Sequence, residues 1–505
     1  MGSFKVEVLP FPVDSMVVTM RREDAARIGV DEGERVKVVH HDRSMVALVN
    51  TPSDGLPPGH VLLSCRLAEG LGVEDGAEVD LSYCSPPLSV QAIRSAVRGK
   101  SLTKDMCYAI IGDVVAGGLS DAEMAAFVVS QAYRDVSMDE VEHLARAMAD
   151  CGQKITFDRT VYDKHSVGGV PGNKVSLLIV PIVAAAGLLI PKTSSRSITS
   201  PSGTADTMEV LAPVDLEPRE FKRAALRAGG AIVWGGKLGL APADDILIRK
   251  VEHPLSIDPV SQLLASVMSK KLAVGANYLV VDLPVGEGTK LETEDMVRDI
   301  AAKFMELGRR LGIYVTCGLT YGSQPVGHAV GPALEAREAL QALGGKGPRS
   351  LFEKSTALAG LLLEASGLAG RGLGKGMAEK VLESGKALEK MREIIEAQGG
   401  NPRIRPEDIQ VGPHKAKVES PADGYVVEVS NSAISAVAKA AGAPVDKGAG
   451  VLLHAKVGYS VKKGDPLLEV YSEHETKLSE ALDLVQRFKP MTVEGMLLRR
   501  LPEVL

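Results

Sequence analysis

The sequence predicts a multidomain α/β protein in which a helical domain and a mixed α/β domain lie between two β-rich end domains. Its 505 residues suffice for three or four domains of about 150 residues each. The strongest local observation is a strand, a glycine loop and an apolar helix in succession over residues 161–187. An internal repeat near the amino terminus and alternating strands near the carboxyl terminus indicate that both ends are rich in β-structure.

The first 84 residues contain an internal repeat. IGVDEGERVKV at residues 28–38 returns as LGVEDGAEVDL at residues 71–81, and each copy passes from a helix end through an acidic glycine turn into an alternating strand. A repeated half of this size predicts a small pseudo-symmetric β-barrel over residues 1–84. The pattern resembles the double-psi barrel at the amino terminus of some AAA+ ATPases, which implies a structural or assembly role.

Residues 85–160 have helical periodicity and predict a helical domain. Ser120 with Glu123, and Ser137 with Glu140, have the spacing of a capping box. In this motif the serine and the glutamate each bind the backbone N–H of the other residue. Both pairs are expected to start amphipathic helices.

The predicted strand that ends at Ser166 leads into a glycine-rich loop. Lys164 and His165 come just before the end of the strand, and Gly168 and Gly169 then let the backbone turn and approach a ligand closely. The apolar helix that follows would direct its free N–H groups and positive dipole end at this loop, an arrangement that binds phosphate. Its spacing matches neither the Walker A pattern nor the dinucleotide fingerprint, which argues against nucleoside triphosphate or NAD. The alternative is a tight turn whose glycines serve packing alone.

A second loop, rich in hydroxyl groups, follows a short strand at Ile190 and enters a helix near Ala205. Arg196 offers a planar guanidinium suited to an oxyanion, and the hydroxyl groups are donors without charge. A disordered linker would lack the apolar segments on both sides. The hydroxyl residues are Ser194, Ser195, Ser197, Thr199, Ser200, Ser202 and Thr204. Two such loops predict a site for two phosphate groups, or for a phosphate and a polyol.

These two loops resemble those of the thymidine phosphorylase family, which includes the pyrimidine-nucleoside phosphorylases. The resemblance rests on KHSVGGVPGNKVS at residues 164–176 and SSRSITSPSGTADTME at residues 194–209, and it extends over nearly the whole chain. Val167 stands where the pyrimidine relatives have threonine. Together with the extra amino-terminal region, it favours the archaeal members of the family that act on nucleoside 5′-monophosphates. The resemblance therefore implies phosphorolysis of AMP, and also of CMP and UMP, to free base and ribose 1,5-bisphosphate in nucleotide salvage or degradation.

The family architecture implies that the chain crosses between domains more than once. Residues 243–274 would complete the helical domain, residues 161–242 and 275–410 would form the α/β domain, and the active site would lie in the cleft between the two. Residues 411–505 would form a separate β-rich, barrel-like domain. Its segments ADGYVVEV and VGYSVKKGDPLLEV look like the halves of a lipoyl-type barrel, but the lysine that would carry lipoate or biotin is replaced. Assembly or lid packing is the expected role.

The resemblance also assigns roles to particular residues. Inorganic phosphate would be held by Lys164, Ser166, Ser176, Ser194 and Thr204. The nucleotide would contact both loops and three later residues, and the run that includes Arg196 would also hold its 5′-phosphate. The expected nucleotide contacts are Gly168, Gly169, Ser195, Arg196, Ser197, Ile198, Thr199, Ser200, Thr204, Ser266, Lys270 and Lys290. Ser266 and Lys270 lie one turn apart in a polar stripe, for which a solvated helix face is the alternative.

Two residues are candidates for the acid that protonates the departing base. Asp258 matches the aspartate that the family is thought to use, and it precedes Pro259, which suits the first position of a helix. His165 is the alternative, because its ordinary pKa of about 6.5 suits proton transfer. As an N-cap, Asp258 would accept backbone hydrogen bonds that lower its pKa. A general acid working near neutral pH needs a raised pKa, so the physical argument opposes the family assignment.

Bulk properties exclude several classes of protein. The net charge of −6 provides no basic field for nucleic acid. The five cysteines are dispersed and form no CxxC pair, so neither a zinc site nor a disulfide framework is indicated, and no metal or other cofactor is expected. The most apolar run is too short for a membrane helix and there is no signal-peptide core, which predicts a cytoplasmic protein. The family tendency implies a homodimer or a larger homo-oligomer.

Two other functions remain open on the sequence alone. A phosphorylase of unphosphorylated pyrimidine nucleosides would act on uridine or thymidine. A non-catalytic scaffold would use its terminal barrels to bind partners and would fail every activity assay. The elements at residues 164–166 and 204–206 argue against a scaffold, which would have no physical need to keep them together.

Overall fold

The computed structural model describes residues 2–13, 15–52, 55–197 and 200–496. It divides into two compact units, the first formed by Met1–Gln153 with Ala241–Ser269 and the second by Lys154–Leu240 with Lys270–Leu505. The chain therefore passes from the first unit to the second, returns, and passes to the second again. In the described part of the chain, no helix combines the length and the apolar character that crossing a membrane requires.

The secondary structure of the first unit comes from two stretches of chain, and that of the second unit from the rest. Up to residue 153 the strands are β1 (Gly2–Val8), β2 (Val17–Met20), β3 (Arg35–His40), β4 (Arg43–Asn50), β5 (His60–Leu63) and β6 (Glu78–Tyr83). The helices there are α1 (Arg22–Ile28), α2 (Cys65–Leu71), α3 (Leu88–Val97), α4 (Lys104–Ala116), α5 (Asp121–Tyr133) and α6 (Met138–Asp150). From residue 154 to 240 the elements are β7 (Tyr162–Ser166), α7 (Ser176–Ala185), β8 (Ile190–Ser194), α8 (Thr204–Glu209), α9 (Pro218–Ala228), β9 (Gly230–Trp234) and α10 (Gly235–Leu238).

The return to the first unit is helical, and the last stretch of chain contains both helices and strands. Residues 241–273 form α11 (Pro242–Leu247), a π-helical turn (Ile248–Glu252), α12 (His253–Leu255) and α13 (Val260–Ala273). The later helices are α14 (Glu294–Leu311), α15 (Pro332–Leu343), α16 (Arg349–Ala365), α17 (Gly374–Glu383), α18 (Lys386–Ala397), a 3₁₀ turn (Pro406–Asp408), α19 (Asn431–Ala440) and α20 (Glu475–Phe488). The later strands are β10 (Tyr278–Val285), β11 (Tyr314–Tyr321), β12 (Ala329–Val330), β13 (His414–Glu419), β14 (Gly424–Val429), β15 (Gly450–Leu453), β16 (Ser460–Val461), β17 (Pro466–Ser472) and β18 (Met491–Glu494).

The first six strands close into a barrel in the order β1-β5-β2-β4-β3-β6. The two copies of the repeat occupy equivalent places in it. Each copy ends a helix at a left-handed glycine, Gly29 with φ 72° and Gly72 with φ 66°, and continues into β3 or β6, which pair antiparallel with each other. Since residues with a Cβ are strained at such φ values, the glycines explain why both copies turn at the same point.

One of the two predicted capping boxes forms in full. Ser120 Oγ accepts from the Glu123 backbone N–H, and Glu123 Oε2 accepts from the Ser120 N–H at 2.9 Å. At the start of α6 only the serine half forms, with Ser137 Oγ accepting from the Glu140 N–H at 3.3 Å. The prediction of a second complete box was wrong, because the buried Glu140 carboxylate pairs with the Arg134 guanidinium instead. A charge-assisted bond of this kind outweighs a bond to a neutral N–H.

The strands of the α/β segment are parallel, so their carboxyl ends meet at one edge. β10 lies between β7 and β11 and is parallel to both. β8 and β9 are also parallel, and a bridge between Val161 and Leu189 connects the β7 side to the β8 side. Helix α7 is buried on all sides under α16 and α18, which explains its uniformly apolar sequence. The loops after β7, β8, β10 and β11 therefore leave the strands at a common edge, where ligands bind in such folds.

The carboxyl-terminal segment is rich in β-structure, as predicted. It contributes to two sheets with the strand orders β12-β15-β17-β13 and β16-β14-β18, and α19 packs on α20. Strand β12 belongs to the preceding α/β segment but pairs with β15. The carboxyl-terminal strands are therefore tied directly to the α/β segment.

A buried lysine strengthens this connection. Lys456 Nζ donates to the carbonyl of Gly327 at 3.0 Å and to that of Pro325. Burial, with the charge of Lys174 nearby, lowers the pKa of Lys456 to about 7. The loop that Lys456 holds also touches the glycine loop, because the Val326 N–H donates to the Pro171 carbonyl at 3.1 Å.

We expect Lys456 to make the stability of the protein depend on pH. The unfolded chain, in which the lysine keeps its ordinary pKa of 10.5, binds more protons between pH 7 and 10.5 than the folded chain. The free energy of unfolding should therefore rise with pH across this window, by at most about 1.4 kcal/mol per pH unit from this residue. Lys456→Met should flatten the rise of the thermal unfolding midpoint, and Lys463→Met, which removes an exposed lysine of the same segment, should not. Equal slopes for wild type and Lys456→Met would contradict this account.

Candidate active site

Three of the five residues predicted to bind phosphate lie close together, at the end of β7 and the start of α7. Lys164 Nζ donates to Ser166 Oγ and, at 3.5 Å, to the Oγ of Ser176, the first residue of α7. Burial lowers the pKa of Lys164 to about 8, although the charge of Asp282 opposes the shift. An ammonium flanked by two hydroxyl groups at a helix N-terminus is suited to bind a small anion.

The glycine loop has open space beside it and is tightly packed behind. Gly172, with φ 71°, lies so close to the segment that contains Ala329 that an added Cβ would be 2.7 Å from the Ala329 carbonyl oxygen. Gly169, with φ 109°, faces the loop after β10, and an added Cβ would lie 3.3 Å from the Lys290 backbone nitrogen. Among the described residues, no atom lies within 4 Å of a Cβ placed on Gly168. The fold thus brings Lys290 to the glycine loop and leaves room for a ligand at Gly168.

Asp206 holds the second loop in shape. Its Oδ2 accepts from the Ser197 N–H at 2.7 Å and from the Gly203 N–H at 2.9 Å, so it joins the two ends of the loop. Ser194 ends β8 and donates to the Val233 carbonyl at 3.2 Å, while Thr204 is the first residue of α8. The loop is therefore fixed at the edge where β7 also ends.

The Arg196 guanidinium, which we expected to hold the 5′-phosphate, is engaged by carboxylates. It makes two bonds to Glu209, at 2.8 and 2.6 Å, and reaches Asp215 at 3.0 Å and Asp206 at 3.4 Å. It also lies 4.9 Å from the centre of the Trp234 ring. The bonds to Glu209 raise the pKa of Arg196 further above its ordinary value. In this structure Arg196 anchors the loop, and it would have to exchange a carboxylate to reach a phosphate.

Two of the other hydroxyl groups of the second loop form hydrogen bonds within the loop, and one lies on an exposed residue. Ser197 Oγ donates to the Ser200 carbonyl, and Ser200 Oγ donates to the Ser202 carbonyl at 3.0 Å. Ser195 is exposed. Two of the predicted nucleotide contacts, Ile198 and Thr199, lie outside the described residues.

The structure also brings buried charges to this edge that the sequence analysis missed. Lys271 Nζ lies 2.6 Å from Asp163 Oδ2, and both side chains are buried. Lys192 in β8 is buried as well, and burial and the charge of Lys271 lower its pKa well below 10.5. Lys164 and Lys270 lie near enough that their charges also act on Lys192. A charged residue in a short apolar strand was the signal that could have revealed Lys192.

His165 lies in the midst of these cations. Burial of the ring, followed by the charges of Lys271 and Lys192, lowers its pKa well below 6.5. The imidazole is therefore neutral at neutral pH in the free protein. A neutral imidazole can form hydrogen bonds, but its remaining N–H proton is too weakly acidic for it to serve as the general acid.

Asp282 in β10 is a second residue that the sequence analysis missed. Its carboxylate accepts from Ser166 Oγ at 2.6 Å and from Thr320 Oγ1 at 2.5 Å. It thereby connects the strands β7, β10 and β11 behind the candidate phosphate site. An acidic residue inside the apolar strand YLVVDLPV was the available signal.

The predicted base contacts and the predicted acid lie on or near α13. This helix begins at Val260, one residue later than the predicted start at Pro259, and Asp258 lies exposed in the loop before it. Ser266 Oγ donates to Asp244 Oδ2 at 2.9 Å within the first unit. Lys270 follows one turn later on the same helix, in the part assigned to the second unit.

The arrangement on the second unit can bind anions. Among the described residues, no group of three or more His, Cys, Asp or Glu side chains is placed to hold a metal ion. The cations and hydroxyl groups after β7 and β8, with Lys290 beside the glycine loop, form an electropositive site at the sheet edge. Such a site can hold phosphate groups and stabilise the charge of an attacking phosphate.

Family models match most of the chain. The model described as the a/b domain of the glycosyl transferase family matches residues 158–388, and that described as its helical bundle domain matches residues 90–152. The model described as the pyrimidine nucleoside phosphorylase C-terminal domain matches residues 425–489.

Similar proteins extend over nearly the full length. The chain is 51% identical to AMP phosphorylase 1 of Archaeoglobus fulgidus, over 98% of both chains. It is 49% identical to AMP phosphorylase of Methanosarcina mazei and 47% identical to that of Thermococcus kodakarensis, in each case over 99% of both chains. Among solved structures, anthranilate phosphoribosyltransferase from Thermus thermophilus matches with a TM-score of 0.51 and 21% identity. This match covers 61% of the chain and 99% of the other protein, and it shows a shared fold alone.

Proposed function

The chain belongs to the AMP phosphorylase family, and on that premise we propose that it catalyses the phosphorolysis of nucleoside 5′-monophosphates. AMP is the first substrate and CMP and UMP are the others. Inorganic phosphate attacks C1′ of the ribose, and the N-glycosidic bond breaks with its electron pair going to the base. The base then takes a proton, so that the products are the free base and ribose 1,5-bisphosphate.

The observation that carries this proposal is the meeting of Lys164, Ser166 and Ser176 at the end of β7. A cation and two hydroxyl groups suit a hydrogenphosphate ion, which needs charge neutralisation and several hydrogen-bond partners. We propose that Ser194 and Thr204 complete this phosphate site from the second loop. Phosphate held there would be preorganised for attack, which is the main contribution that a protein can make to a displacement of this type.

The nucleotide is proposed to lie along the glycine loop and the second loop. We propose that Lys290 meets its 5′-phosphate, and the approach of the Lys290 backbone to Gly169 supports this. Backbone N–H groups and hydroxyls of residues 195–200 would contribute further donors. Since the Arg196 guanidinium is held by carboxylates, we propose that it shapes this loop and reaches the phosphate only after exchange of a carboxylate partner. Ser266 and Lys270 are proposed to contact the base.

We propose Asp258 as the general acid and not His165. The neutral imidazole of His165 in the free protein argues against it as a proton donor. Asp258 acts as the acid only in its neutral form. Bound nucleotide and phosphate, through their negative charge and the exclusion of water, would favour this form over the carboxylate.

Several wider features of the molecule remain proposals. We propose that the barrel of residues 1–84 is of the double-psi type and serves assembly, and that the strands after residue 411 form a barrel-like domain with a similar role. The repeat and its equivalent glycines support the first of these. The protein is proposed to act in the cytoplasm as a homodimer or larger homo-oligomer.

The proposal is tested by phosphate-dependent release of free base from AMP, CMP and UMP and from adenosine, uridine and thymidine, without added metal. Release from the monophosphates alone, and only with phosphate present, is expected. Release from uridine or thymidine would replace the proposal by the nucleoside phosphorylase alternative. No release from any substrate would favour a scaffold. Protein with Lys164→Met, purified in the same way, controls for contaminating activity.

A further inference from the structure

Helix α16 brings a buried lysine against Asp282. Lys354 Nζ lies 3.3 Å from Asp282 Oδ2, with 9% of the lysine side chain and 0% of the aspartate side chain exposed. Within the described residues, the Lys354 ammonium has no hydrogen-bond acceptor in suitable geometry. A buried ammonium whose N–H groups are not satisfied carries a free-energy cost, so this position needs an explanation beyond packing.

The charges around Asp282 keep it ionised. Burial alone would raise the pKa of Asp282, but the charges of Lys354 and Lys164 and the hydrogen bonds from Ser166 and Thr320 together outweigh burial and hold this pKa below its ordinary value. The same lysine also acts on Lys164, since Lys354 is one of the charges that lower the Lys164 pKa. Lys354, Asp282 and Lys164 therefore form one electrostatically connected group with a surplus of positive charge.

Ionisation of Asp282 fixes the direction of two hydroxyl groups. A carboxylate only accepts hydrogen bonds, so Ser166 and Thr320 must both donate to it. Ser166 Oγ in turn accepts from Lys164 Nζ, which leaves one lone pair on this oxygen. Ser166 would therefore meet a hydrogenphosphate ion as an acceptor and bind its P–OH group. The charged phosphate oxygens are then left for Lys164 and Ser176.

We propose that Asp282 and Lys354 are positioning residues for inorganic phosphate. Asp282 fixes the Ser166 hydroxyl as an acceptor, and Lys354 offsets the Asp282 charge so that an anion can bind close by. This inference rests on the proposed phosphorylase function. Without Lys354, a buried carboxylate and the incoming phosphate would repel each other across a medium that screens charge poorly. With Lys354 the pair is neutral, and the charge of Lys164 is available to the ligand.

The test is a comparison of KM values for phosphate and for AMP in variants of the full chain. Lys354→Met leaves the Asp282 charge without an offset, and we expect the KM for phosphate to rise roughly tenfold or more. The KM for AMP should stay within about twofold, since Ser166, the phosphate-site residue that Asp282 holds, is not among the residues proposed to contact the nucleotide. Adding Asp282→Asn to Lys354→Met removes the repelling charge and should recover most of the phosphate KM. Lys354→Arg should stay close to wild type.

Asp282→Asn in the otherwise unchanged chain should change the KM for phosphate in the opposite direction. It leaves the Lys354 charge without an offset, so the KM for phosphate should fall several-fold. The kcat should fall as well, because Ser166 is no longer fixed as an acceptor. A purely structural role for this pair would not lower a KM.

The controls separate this inference from the proposed function. Wild-type protein without phosphate-dependent base release overturns the proposed function itself. Lys375→Met, which removes a lysine that is 44% exposed and pairs with Glu353 of α16, should leave both KM values unchanged. An unchanged phosphate KM in folded Lys354→Met overturns the inference. If thermal unfolding shows that Lys354→Met does not fold, a phosphate KM that rises in Asp282→Asn overturns it instead.

Discussion

Asp258→Asn is expected to reduce the turnover of AMP by roughly two to four orders of magnitude, the range typical of a general acid. The KM for AMP should change little, because the substitution keeps the shape of the side chain and removes only its proton. A departing purine without a proton is a poor leaving group, so the loss should lie in kcat. Steady-state kinetics at saturating phosphate measures this directly.

Comparing Asp258→Asn with His165→Asn shows which of the two residues is the general acid. Burial and the nearby lysines hold the pKa of His165 well below 6.5, so its removal should cost less turnover than removal of Asp258. If Asp258→Asn keeps near-normal turnover, Asp258 is not the acid. If His165→Asn alone abolishes turnover, the imidazole takes that role in the complex, where a bound anion raises its pKa.

Lys164→Met is expected to lower kcat/KM for phosphate by roughly two to three orders of magnitude, as removal of a preorganised charge at the reacting group does. The same residue should set the alkaline limb of the pH profile. Because its pKa is about 8 in the free protein, the ammonium is present below that pH and is lost above it. The kcat/KM for phosphate, which reports the free enzyme, should therefore fall above about pH 8.

Lys164→Arg provides the matched variant for the pH dependence. A guanidinium stays charged throughout this range, so the limb near pH 8 should disappear even if the overall rate falls. A limb that stays at the same pH in Lys164→Arg would show that another group is responsible. A kcat/KM for phosphate that Lys164→Met leaves unchanged would remove this residue from the phosphate site.

Features with a local cause were predicted well from the sequence. The repeat predicted that each copy ends a helix and turns into a strand, and the helices do end, at Gly29 and Gly72, where a left-handed turn needs glycine. The strand, loop and helix around Lys164 were recognised because period and glycine placement are local signals. Family resemblance named Lys290 as a nucleotide contact, which stays a prediction, and the structure adds that its backbone lies against Gly169.

Features that depend on tertiary contacts were missed or misjudged. Asp282 and Lys354 come from elements far apart in the sequence, as do Lys192 and Lys271, and nothing local indicates that either pair comes together. The reciprocal half of the cap at Glu140 was lost to an ion pair with Arg134. In both cases a charge found a partner that capping and strand patterns do not indicate, although Arg134 lies only six residues from Glu140.

The ion pairs of Arg196 with Glu209 and Asp215 are further contacts that the sequence analysis did not predict. A guanidinium in a hydroxyl-rich loop suggests an oxyanion ligand, but carboxylates of the same chain satisfy the same geometry. Residue type and spacing therefore indicate which chemistry a group can perform. Only the fold indicates whether the group is still available to perform it.

The central claim is that the base is displaced by phosphate, and ³¹P nuclear magnetic resonance of a reaction of AMP with inorganic phosphate tests it most directly. We expect the signals of AMP and inorganic phosphate to decline together while two new signals of equal intensity appear, one for each phosphate of ribose 1,5-bisphosphate. Release of base with inorganic phosphate unconsumed, and a single new signal from ribose 5-phosphate, would mean that water is the nucleophile and would contradict the account.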